Sequence, residues 1–361
     1  MLETDLNIIE KNARAIRKNV PGDKEILSVV KANAYGHGSV AVSKMLEERG
    51  LSDGFAVATA GEGIALRDGN IHGRIMILGY TDEQEMYEAV SRDIEVCVYS
   101  EKMLYSLSEA AFKSGKAAKA HLKIDTGMNR IGVKGEDELS ALLKTWKKIE
   151  NVHMTGAFSH FSSADSDEEF TLSQYEKFQK SVDTIRAYGF SPKTHIAASS
   201  AMTDERFSSD MVREGIALYG VGYGILEKQV APAQKLKTHP VRIEKVESGE
   251  SIGYSRAYRA SSDMTVMTIP CGYGDGYPRI LSGRADVLVN GKRAPVIGNI
   301  CMDMMMADIT GIDGVNLDSE VVLMGGQGIE RITPGELAER AKTIPYEIML
   351  GFSERVKRSI Q

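Results

Sequence analysis

The sequence predicts an α/β protein: a (β/α)8 barrel of the TIM type followed by a mostly β C-terminal domain. In the first two-thirds of the chain, short apolar runs alternate with amphipathic helical patterns, as in parallel strands joined by helices. After about Ala233, strand-like runs follow one another without long helices between them. We expect residues 1–230 to form the barrel and residues 231–361 the β domain, with the boundary in the polar stretch 227–237.

Eight apolar runs of strand length stand in the first part, and each is expected to be followed by a helix. The clearest helical patterns cover residues 40–46, 137–146 and 169–188. A doubly wound open sheet is the alternative, but no G-x-G-x-x-G fingerprint follows the first strand. The predicted barrel strands are residues 26–30, 55–58, 75–79, 94–98, 120–124, 152–158, 194–197 and 216–219.

The second part carries turn and cap signals of a β domain. Asn290-Gly291 between two strand-like runs predicts a hairpin. Thr333-Pro334-Gly335-Glu336 predicts the start of one late helix, because it combines a capping box with proline at the first helical position. The predicted strands are residues 241–246, 251–260, 264–270, 285–289, 294–297 and 321–324.

Composition excludes several classes of function. The 361 residues are 42% hydrophobic and 26% charged, as in a globular protein, and the net charge of −6 argues against a nucleic-acid partner. The first twenty residues read as an amphipathic helix rather than a signal peptide, and no apolar run is long enough to cross a membrane. Three widely spaced cysteines make neither a disulfide framework nor a metal site, so we expect a cytoplasmic protein without metal.

Lys31 ends the first predicted strand and is followed by Tyr35, Gly36 and Gly38. A lysine at the inner end of a strand is costly unless its amine is used. A desolvated lysine loses its proton more readily and can form a Schiff base with a carbonyl cofactor. The alternative is a lysine that extends its amine to solvent before an ordinary glycine turn. Spacing alone leaves both readings open.

The run Val-Val-Lys-Ala-Asn-Ala-Tyr-Gly-His-Gly, residues 29–38, resembles the cofactor-lysine motif of the alanine racemases, which use pyridoxal 5′-phosphate (PLP). Further motifs follow in the family's order from Glu3 to Glu347, nearly the whole chain. The resemblance implies that Lys31 carries PLP and that Tyr35 lies near its phosphate. A lysine just past the end of a barrel strand also fits the place where such barrels carry function.

Two further motifs follow later barrel strands. Residues 123–132, Lys-Ile-Asp-Thr-Gly-Met-Asn-Arg-Ile-Gly, are similar to the family's Lys-x-Asp-Thr-Gly-Met-x-Arg-x-Gly. The resemblance implies that Arg130 donates to the phenolic oxygen of PLP and lies near the substrate carboxylate, which suits a planar guanidinium. Lys123 matches a position that is carbamylated in some members. His160 would link the arginine at the cofactor to the catalytic tyrosine.

Arg213 matches the arginine that faces the pyridine nitrogen of PLP in the family. Most PLP enzymes place an acid there, which keeps the ring protonated and a strong electron sink. An arginine cannot accept that proton, which suits racemisation and disfavours side reactions. Glu214 is adjacent in an extended segment, so we expect its side chain to face the opposite way.

The resemblance also assigns the phosphate contacts and the substrate loop. The expected phosphate ligands, besides Tyr35, are Ser199, the backbone N–H groups of Gly215 and Ile216, and Tyr346. Ser200 is an alternative to Ser199, and Ala198 replaces the usual asparagine. The backbone N–H of Met302 would bind the substrate carboxylate, and Asn299 stands where many members have arginine.

A racemase must remove a proton from one face of Cα and return one to the other, so it needs two acid/base groups. The resemblance implies that Lys31 serves the D-face and Tyr254 the L-face. The expected function is the interconversion of L-alanine and D-alanine through a PLP Schiff base of the substrate, supplying D-alanine for peptidoglycan. The expected assembly is a head-to-tail homodimer in which Tyr254, Met302 and Asp303 reach the partner's barrel.

Three alternatives remain at this point. A serine racemase or a broad-specificity amino-acid racemase would carry the same motifs. A non-catalytic PLP-binding barrel would lack the β domain and Tyr254. Amino-acid decarboxylases with a barrel and a β domain would need an acid in place of Arg213.

Overall fold

The chain, seen in a computed structural model that covers residues 1–361, divides into two units. One comprises Ile9–Ala231, and the other comprises Met1–Ile8 with Pro232–Gln361. The first strand, β1 (Leu2–Thr4), belongs to the second unit, where it pairs with Gln234–Thr238 and with Arg358–Ile360. None of the helices is long and apolar enough to cross a membrane.

Eight parallel strands close the first unit into a barrel, so the predicted fold is confirmed. Its interior holds Leu27, Met76, Cys97, Phe158 and Met211, which pack together. In chain order the strands are β2 (Glu25–Val29), β3 (Gly54–Val57), β4 (Ile75–Ile77), β5 (Ile94–Val98), β6 (Ala118–Lys123), β7 (Val152–Phe158), β8 (Lys193–His195) and β9 (Met211–Glu214). The helices are α1 (Leu6–Asn19), α2 (Lys31–Tyr35), α3 (Ser39–Glu48), α4 (Ala60–Asp68), α5 (Glu83–Ser91), α6 (Glu101–Ser114), α7 (Gly135–Trp146) and α8 (Glu168–Ala187).

The predicted eighth strand, residues 216–219, is wrong. The closing strand is β9, which pairs with β2, and Ile216–Tyr219 forms a short 3-10 helix. Strand β9 ends at Glu214, because the ψ of −110° at Gly215 leaves the extended region. A short apolar run is equally compatible with a strand and with a buried helical turn.

The expected helix after every strand is also wrong for β8, which is followed by turns up to β9. Helix α1 instead reaches the segment after β9. The Asn12 side chain donates to the carbonyls of Leu218 at 3.0 Å and Ala231 at 2.8 Å. These bonds tie the first helix of the chain to the last segment of the barrel unit.

The second unit is a ten-stranded sheet with two short helices, α9 (Pro334–Ala341) and α10 (Pro345–Leu350). The strand order is β11-β14-β17-β16-β15-β18-β10-β1-β20, with β19 beside β18 and β12 paired with β13 outside the sheet. The strands after β9 are β10 (Gln234–Thr238), β11 (Arg242–Val246), β12 (Ser251–Ile252), β13 (Tyr258–Arg259), β14 (Met264–Ile269), β15 (Asp286–Val289), β16 (Lys292–Ile297), β17 (Met305–Asp308), β18 (Val321–Gln327), β19 (Glu330–Ile332) and β20 (Arg358–Ile360).

The single strand predicted for residues 251–260 is wrong. Strands β12 and β13 are separated there by a 3-10 turn, Tyr254–Arg256. Gly253, Ser255 and Arg256 all have positive φ, at 74°, 61° and 51°, which an extended strand does not allow. The apolar pattern of the segment gave no sign of this reversal.

The predicted hairpin at Asn290-Gly291 and the predicted helix cap at Thr333 are both confirmed. Asn290 and Gly291 have φ of 49° and 73° between the paired strands β15 and β16, the left-handed pair that a tight two-residue turn needs. The Thr333 hydroxyl accepts the N–H of Glu336 at 3.0 Å, with Pro334 at the first position of α9.

Replacing Gly291 tests the hairpin. Gly291→Ala is expected to lower the free energy of unfolding by about 1 kcal/mol, because an L-residue is strained in the left-handed region. Gly22→Ala is the matched control, since its backbone is not left-handed and an added Cβ meets open space. Urea unfolding of both variants measures the difference, and equal stabilities would contradict the turn assignment.

Candidate active site

The site residues predicted in the barrel unit lie at the carboxyl ends of its strands. This edge is where barrels of this kind assemble their functional side chains, because all the parallel strands end there. Lys31 follows β2, Arg130 lies in the loop after β6, and His160 follows β7. The same edge carries Tyr35, Ser199, Arg213, Gly215 and Ile216.

Lys31 stands at the start of a left-handed turn that the sequence pattern did not indicate. Ala32, Asn33, Ala34 and Tyr35 have φ between 50° and 54°. Each non-glycine residue in this region costs about 1–2 kcal/mol, so the surrounding structure must hold the turn. Glu62 does so, because its carboxylate accepts the backbone N–H groups of Ala32 and Ala58, both at 2.7 Å.

Positive charges surround the Lys31 amine. Burial lowers the pKa of Lys31, and the charges of Arg130 and Arg213 act in the same direction, while Glu62 opposes them. Burial, followed by the charge of Arg213, lowers the pKa of Lys123 to about 7. The Lys123 ammonium lies 4.5 Å from the centre of the Phe158 ring. Both amines are therefore easier to deprotonate than an exposed lysine.

Arg213 is buried and its donors are used in several directions. Its Nη1 lies 2.7 Å from Nδ1 of His195, and its Nη2 donates to the carbonyls of Ser159 at 2.9 Å and Ile196 at 2.8 Å. Its Nη2 also lies 3.1 Å from Nδ1 of His160. Burial lowers the pKa of Arg213 to about 10, so the guanidinium still carries its charge at neutral pH.

The histidines beside Arg213 are held neutral. Burial and the charge of Arg213 together keep the pKa of His160 and of His195 well below the usual range. A neutral imidazole offers Arg213 a nitrogen lone pair. Sequence analysis did not single out His195 as a partner of Arg213, because only the pairing of β8 with β9 brings the two together.

Gly215 lies at the centre of a small polar cradle. The Ser199 hydroxyl accepts the N–H groups of Gly215 at 3.0 Å and of Ala217 at 3.3 Å. A Cβ added at Gly215 would lie 3.3 Å from the Tyr35 hydroxyl oxygen and 3.5 Å from that of Ser199. Hydroxyl groups and the start of a 3-10 helix thus converge on one point, a donor set that suits a phosphate.

Three predicted site residues lie in the other unit. Tyr254 begins the 3-10 turn between β12 and β13 and is 72% exposed. Its carbonyl accepts the side-chain amide of Asn299 at 3.0 Å, which ties the turn to the loop that contains Met302. Met302 in that loop is 52% exposed, and its carbonyl accepts the N–H of Gly274 at 2.8 Å. Tyr346 is the second residue of α10.

Glu214 faces away from its neighbour Arg213, as strand alternation requires. Its carboxyl group is buried and hydrogen bonds with the Ser28 hydroxyl on the adjacent strand β2. Burial raises the pKa of Glu214 to about 7, against the opposing effect of the bond with Ser28. The folded chain therefore keeps a proton here that an unfolded chain loses near the ordinary value of 4.5.

Replacing Glu214 tests this buried proton. Between about pH 4.5 and 7 the folded state binds the extra proton, so stability falls as pH rises through this range. Glutamine has no such proton to lose, so Glu214→Gln removes this loss. The effect of the substitution on the free energy of unfolding is expected to be up to about 3 kcal/mol more favourable at about pH 8 than at about pH 4. Urea unfolding at both pH values measures it. Glu48→Gln, an exposed control in α3, is expected to show no such difference, and an equal response of the two variants would contradict the assignment.

Comparisons with known proteins identify the family. Residues 4–222 match the family model of the alanine racemase N-terminal domain, and residues 233–360 match that of the C-terminal domain. The chain is 39% identical to alanine racemase 2 of Caldanaerobacter subterraneus subsp. tengcongensis, over 99% of this chain and 93% of that protein. It is 37% identical to the alanine racemase of Halothermothrix orenii, over 99% of this chain and 95% of that protein.

Solved structures agree with the sequence relatives. The alanine racemase of Streptomyces coelicolor A3(2) superposes with a TM-score of 0.94 at 31% identity, covering 100% of this chain and 97% of that one. The alanine racemase of Bacillus anthracis with bound L-Ala-P superposes with a TM-score of 0.91 at 33% identity, covering 100% of this chain and 94% of that one. The resemblance that the motifs indicated is confirmed, and the chain belongs to the alanine racemase family of enzymes.

Proposed function

We propose that this chain is a PLP-dependent alanine racemase, which interconverts L-alanine and D-alanine. The observation that carries the proposal is the half-buried amine of Lys31, which a strained left-handed turn holds at the carboxyl edge of the barrel among positive charges that lower its pKa. A structural lysine has no need of such a turn, whereas a nucleophilic amine needs a fixed position and an accessible neutral form.

The barrel residues fit PLP group by group. Lys31 would hold the carbonyl carbon, and the cradle of Tyr35, Ser199, Gly215 and Ile216 would hold the phosphate, with Tyr346 as a further expected contact. Arg130 would donate to the phenolic oxygen. Bound PLP supplies the electron sink that makes the α-proton of an amino acid removable.

Arg213 tunes that electron sink. A guanidinium donates hydrogen bonds and cannot take a proton from the ring, so a pyridine nitrogen that faces it keeps its lone pair. Bound PLP would then be a weak electron sink, which would favour return of the proton to Cα over other reactions. This argues against the decarboxylases, which would need an acid at this position.

Racemisation needs two proton-transfer groups on opposite faces of Cα. The Lys31 amine takes or returns the proton on the D-face, and the Tyr254 phenol does so on the L-face. Arg130 and the backbone N–H of Met302 would hold the substrate carboxylate, so that Cα stays between the two groups. His160, which contacts Arg213, would link the cofactor side of the site to Tyr254.

The Tyr254→Phe variant tests the two-base assignment. Exchange of the L-alanine α-proton for deuterium should fall at least about 100-fold, because the L-face loses its acid/base group. PLP binding should remain, since Lys31 and the cradle are unchanged. Proton NMR in deuterium oxide measures exchange, and chiral chromatography of L-alanine and L-serine products measures racemisation.

Tyr258→Phe is the matched control, a tyrosine in β13 that has no assigned role. Racemisation by Tyr254→Phe at the wild-type rate would contradict the assignment. A wild-type chain that binds PLP without turnover would instead indicate a non-catalytic PLP barrel. Faster turnover of serine than of alanine would indicate a serine racemase or a broad-specificity racemase.

The active form is proposed to be a homodimer with shared sites. Tyr254 and Met302 are exposed in the single chain, although a proton-transfer group works best where water is excluded. A twofold partner would cover them with its own barrel edge and receive Tyr254, Met302 and Asp303 in return. Each of the two sites would then combine the barrel residues of one subunit with the loop residues of the other.

Mixed dimers test this arrangement. Lys31→Ala and Tyr254→Ala chains should each be inactive, yet mixing them should restore about a quarter of wild-type activity after full exchange, because half the dimers are mixed and one site in each is intact. Two differently tagged Lys31→Ala chains serve as control and should stay inactive. Absence of recovery despite demonstrated subunit exchange would mean that each site is built within one chain.

The proposed cellular role is the supply of D-alanine for peptidoglycan in a reducing cytoplasm. All three cysteines are free, and Cys97 and Cys271 are buried, which supports a compartment where thiols stay reduced. The reaction itself is reversible, so the role depends on which enantiomer the cell consumes.

A further inference from the structure

A continuous chain of buried polar groups crosses the interior of the barrel below the site. Arg213 Nη1 lies 2.7 Å from His195 Nδ1, and His195 Nε2 lies 2.9 Å from His121 Nδ1. His121 Nε2 lies 2.6 Å from Glu95 Oε2. The chain passes through strands β9, β8, β6 and β5, and all four side chains are buried.

Hydrogen-bond chemistry allows one proton arrangement along this chain. Arg213 only donates, so His195 Nδ1 must accept, and a neutral His195 then carries its proton on Nε2. That N–H donates to His121 Nδ1, which must accept, so His121 carries its proton on Nε2 and donates it to the Glu95 carboxylate. Every bond points from the arginine toward the carboxylate.

The packing holds the chain in this arrangement. The Phe158 ring stacks on His195 with 4.7 Å between ring centres and an angle of 1° between planes. Gly156 leaves the space that His121 occupies, since a Cβ there would lie 2.1 Å from His121 Nδ1. The two imidazoles are thus fixed by an aromatic face and by a glycine whose replacement would displace a ring.

Glu95 is held as an anion by its neighbours. Burial acts to raise the pKa of Glu95, but the hydrogen bond from His121, together with the charge of Arg74 and the hydrogen bond from Thr155, leaves the pKa below its usual range. Thr155 donates to Oε2 at 3.0 Å, and Arg74 Nε lies 3.5 Å from Oε1. The anion is therefore stable in the barrel interior.

We propose that Glu95 is a positioning residue for Arg213, and that it acts through His121 and His195. The carboxylate fixes the proton on each imidazole, so that His195 always presents a lone pair to the guanidinium. Without the carboxylate, His195 can carry its proton on Nδ1, which would repel Arg213 and displace it from the cofactor ring. This inference rests on the proposed function, in which Arg213 faces the pyridine nitrogen of PLP.

The proton positions can be observed directly. Joint neutron and X-ray diffraction from crystals of the full chain with bound PLP should show deuterium on Nε2 of both His195 and His121 and none on Nδ1 of either. Deuterium on His195 Nδ1, or on both nitrogens of either ring, would overturn the proposal. This readout is independent of catalysis, so it holds even if the chain proves not to be a racemase.

Kinetics of Glu95→Gln test the consequence for the reaction. This variant keeps the shape of the side chain but removes its charge, and kcat should fall about tenfold or more, the usual effect of losing a group that orients a primary residue. KM for alanine and the PLP content should change little, since the residues proposed to bind the substrate carboxylate and the PLP phosphate are unchanged.

Glu214→Gln is the matched control. Glu214 is also buried and follows Arg213 in the sequence, but its side chain lies outside the chain of hydrogen bonds. Its kcat should stay within about twofold of wild type, well short of the effect of losing an orienting group. Equal kcat values for the two variants would overturn the proposal, as would a loss in Glu95→Gln explained wholly by lower PLP content. If Glu95→Gln does not fold, the wild-type deuterium positions decide the matter.

Discussion

The close approach of four positive side chains at the barrel edge, Lys31, Lys123, Arg130 and Arg213, is the constraint on which the site depends. Burial and the charges of Arg130 and Arg213 lower the pKa values of Lys31 and Lys123, and no buried carboxylate bonds directly to either lysine. Like charges that are partly shielded from water repel one another strongly, and this repulsion favours the neutral form of the lysines. A neutral lysine amine is the form that attacks a carbonyl carbon.

The carboxylates near this cluster hold backbone and histidines in place without contacting the cations. The Glu62 carboxylate accepts hydrogen bonds from two backbone N–H groups and so stabilises the strained turn after Lys31. Glu95 lies two imidazoles away from Arg213. A carboxylate bonded directly to Arg213 would neutralise its field, whereas one at this distance orders the hydrogen bonds and leaves the guanidinium free to donate.

The division of labour between the two units follows from what each fold does well. Barrel strands end at one edge, so a barrel can fix many side chains around a cofactor with rigid backbone. The turn that carries Tyr254 is exposed and held by few bonds, among them the one from Asn299. A group of this kind becomes effective when another surface covers it, which is why the proposed dimer and the proposed chemistry are linked.

The sequence by itself determined the barrel, the β domain and the family. These follow from local information: strand and helix periodicity, the Asn290-Gly291 turn, and motifs whose residues are adjacent in the chain. Sequence periodicity failed where local preference was ambiguous. The apolar run 216–219 is compatible with a strand or with a buried turn. It forms a turn because the backbone at Gly215 leaves the extended region. Residues 251–260 hid a reversal in their left-handed backbone.

Only the tertiary structure decided which distant residues support the site. Glu62, Glu95 and His121 stand on three different elements, and nothing in their sequence neighbours distinguishes them from ordinary polar residues. They gain a role because closure of the barrel brings their strands and helices together and removes water from between them. A buried polar group must find a partner, and which partner it finds depends on strand register, a property that the folded barrel fixes and the linear sequence does not display.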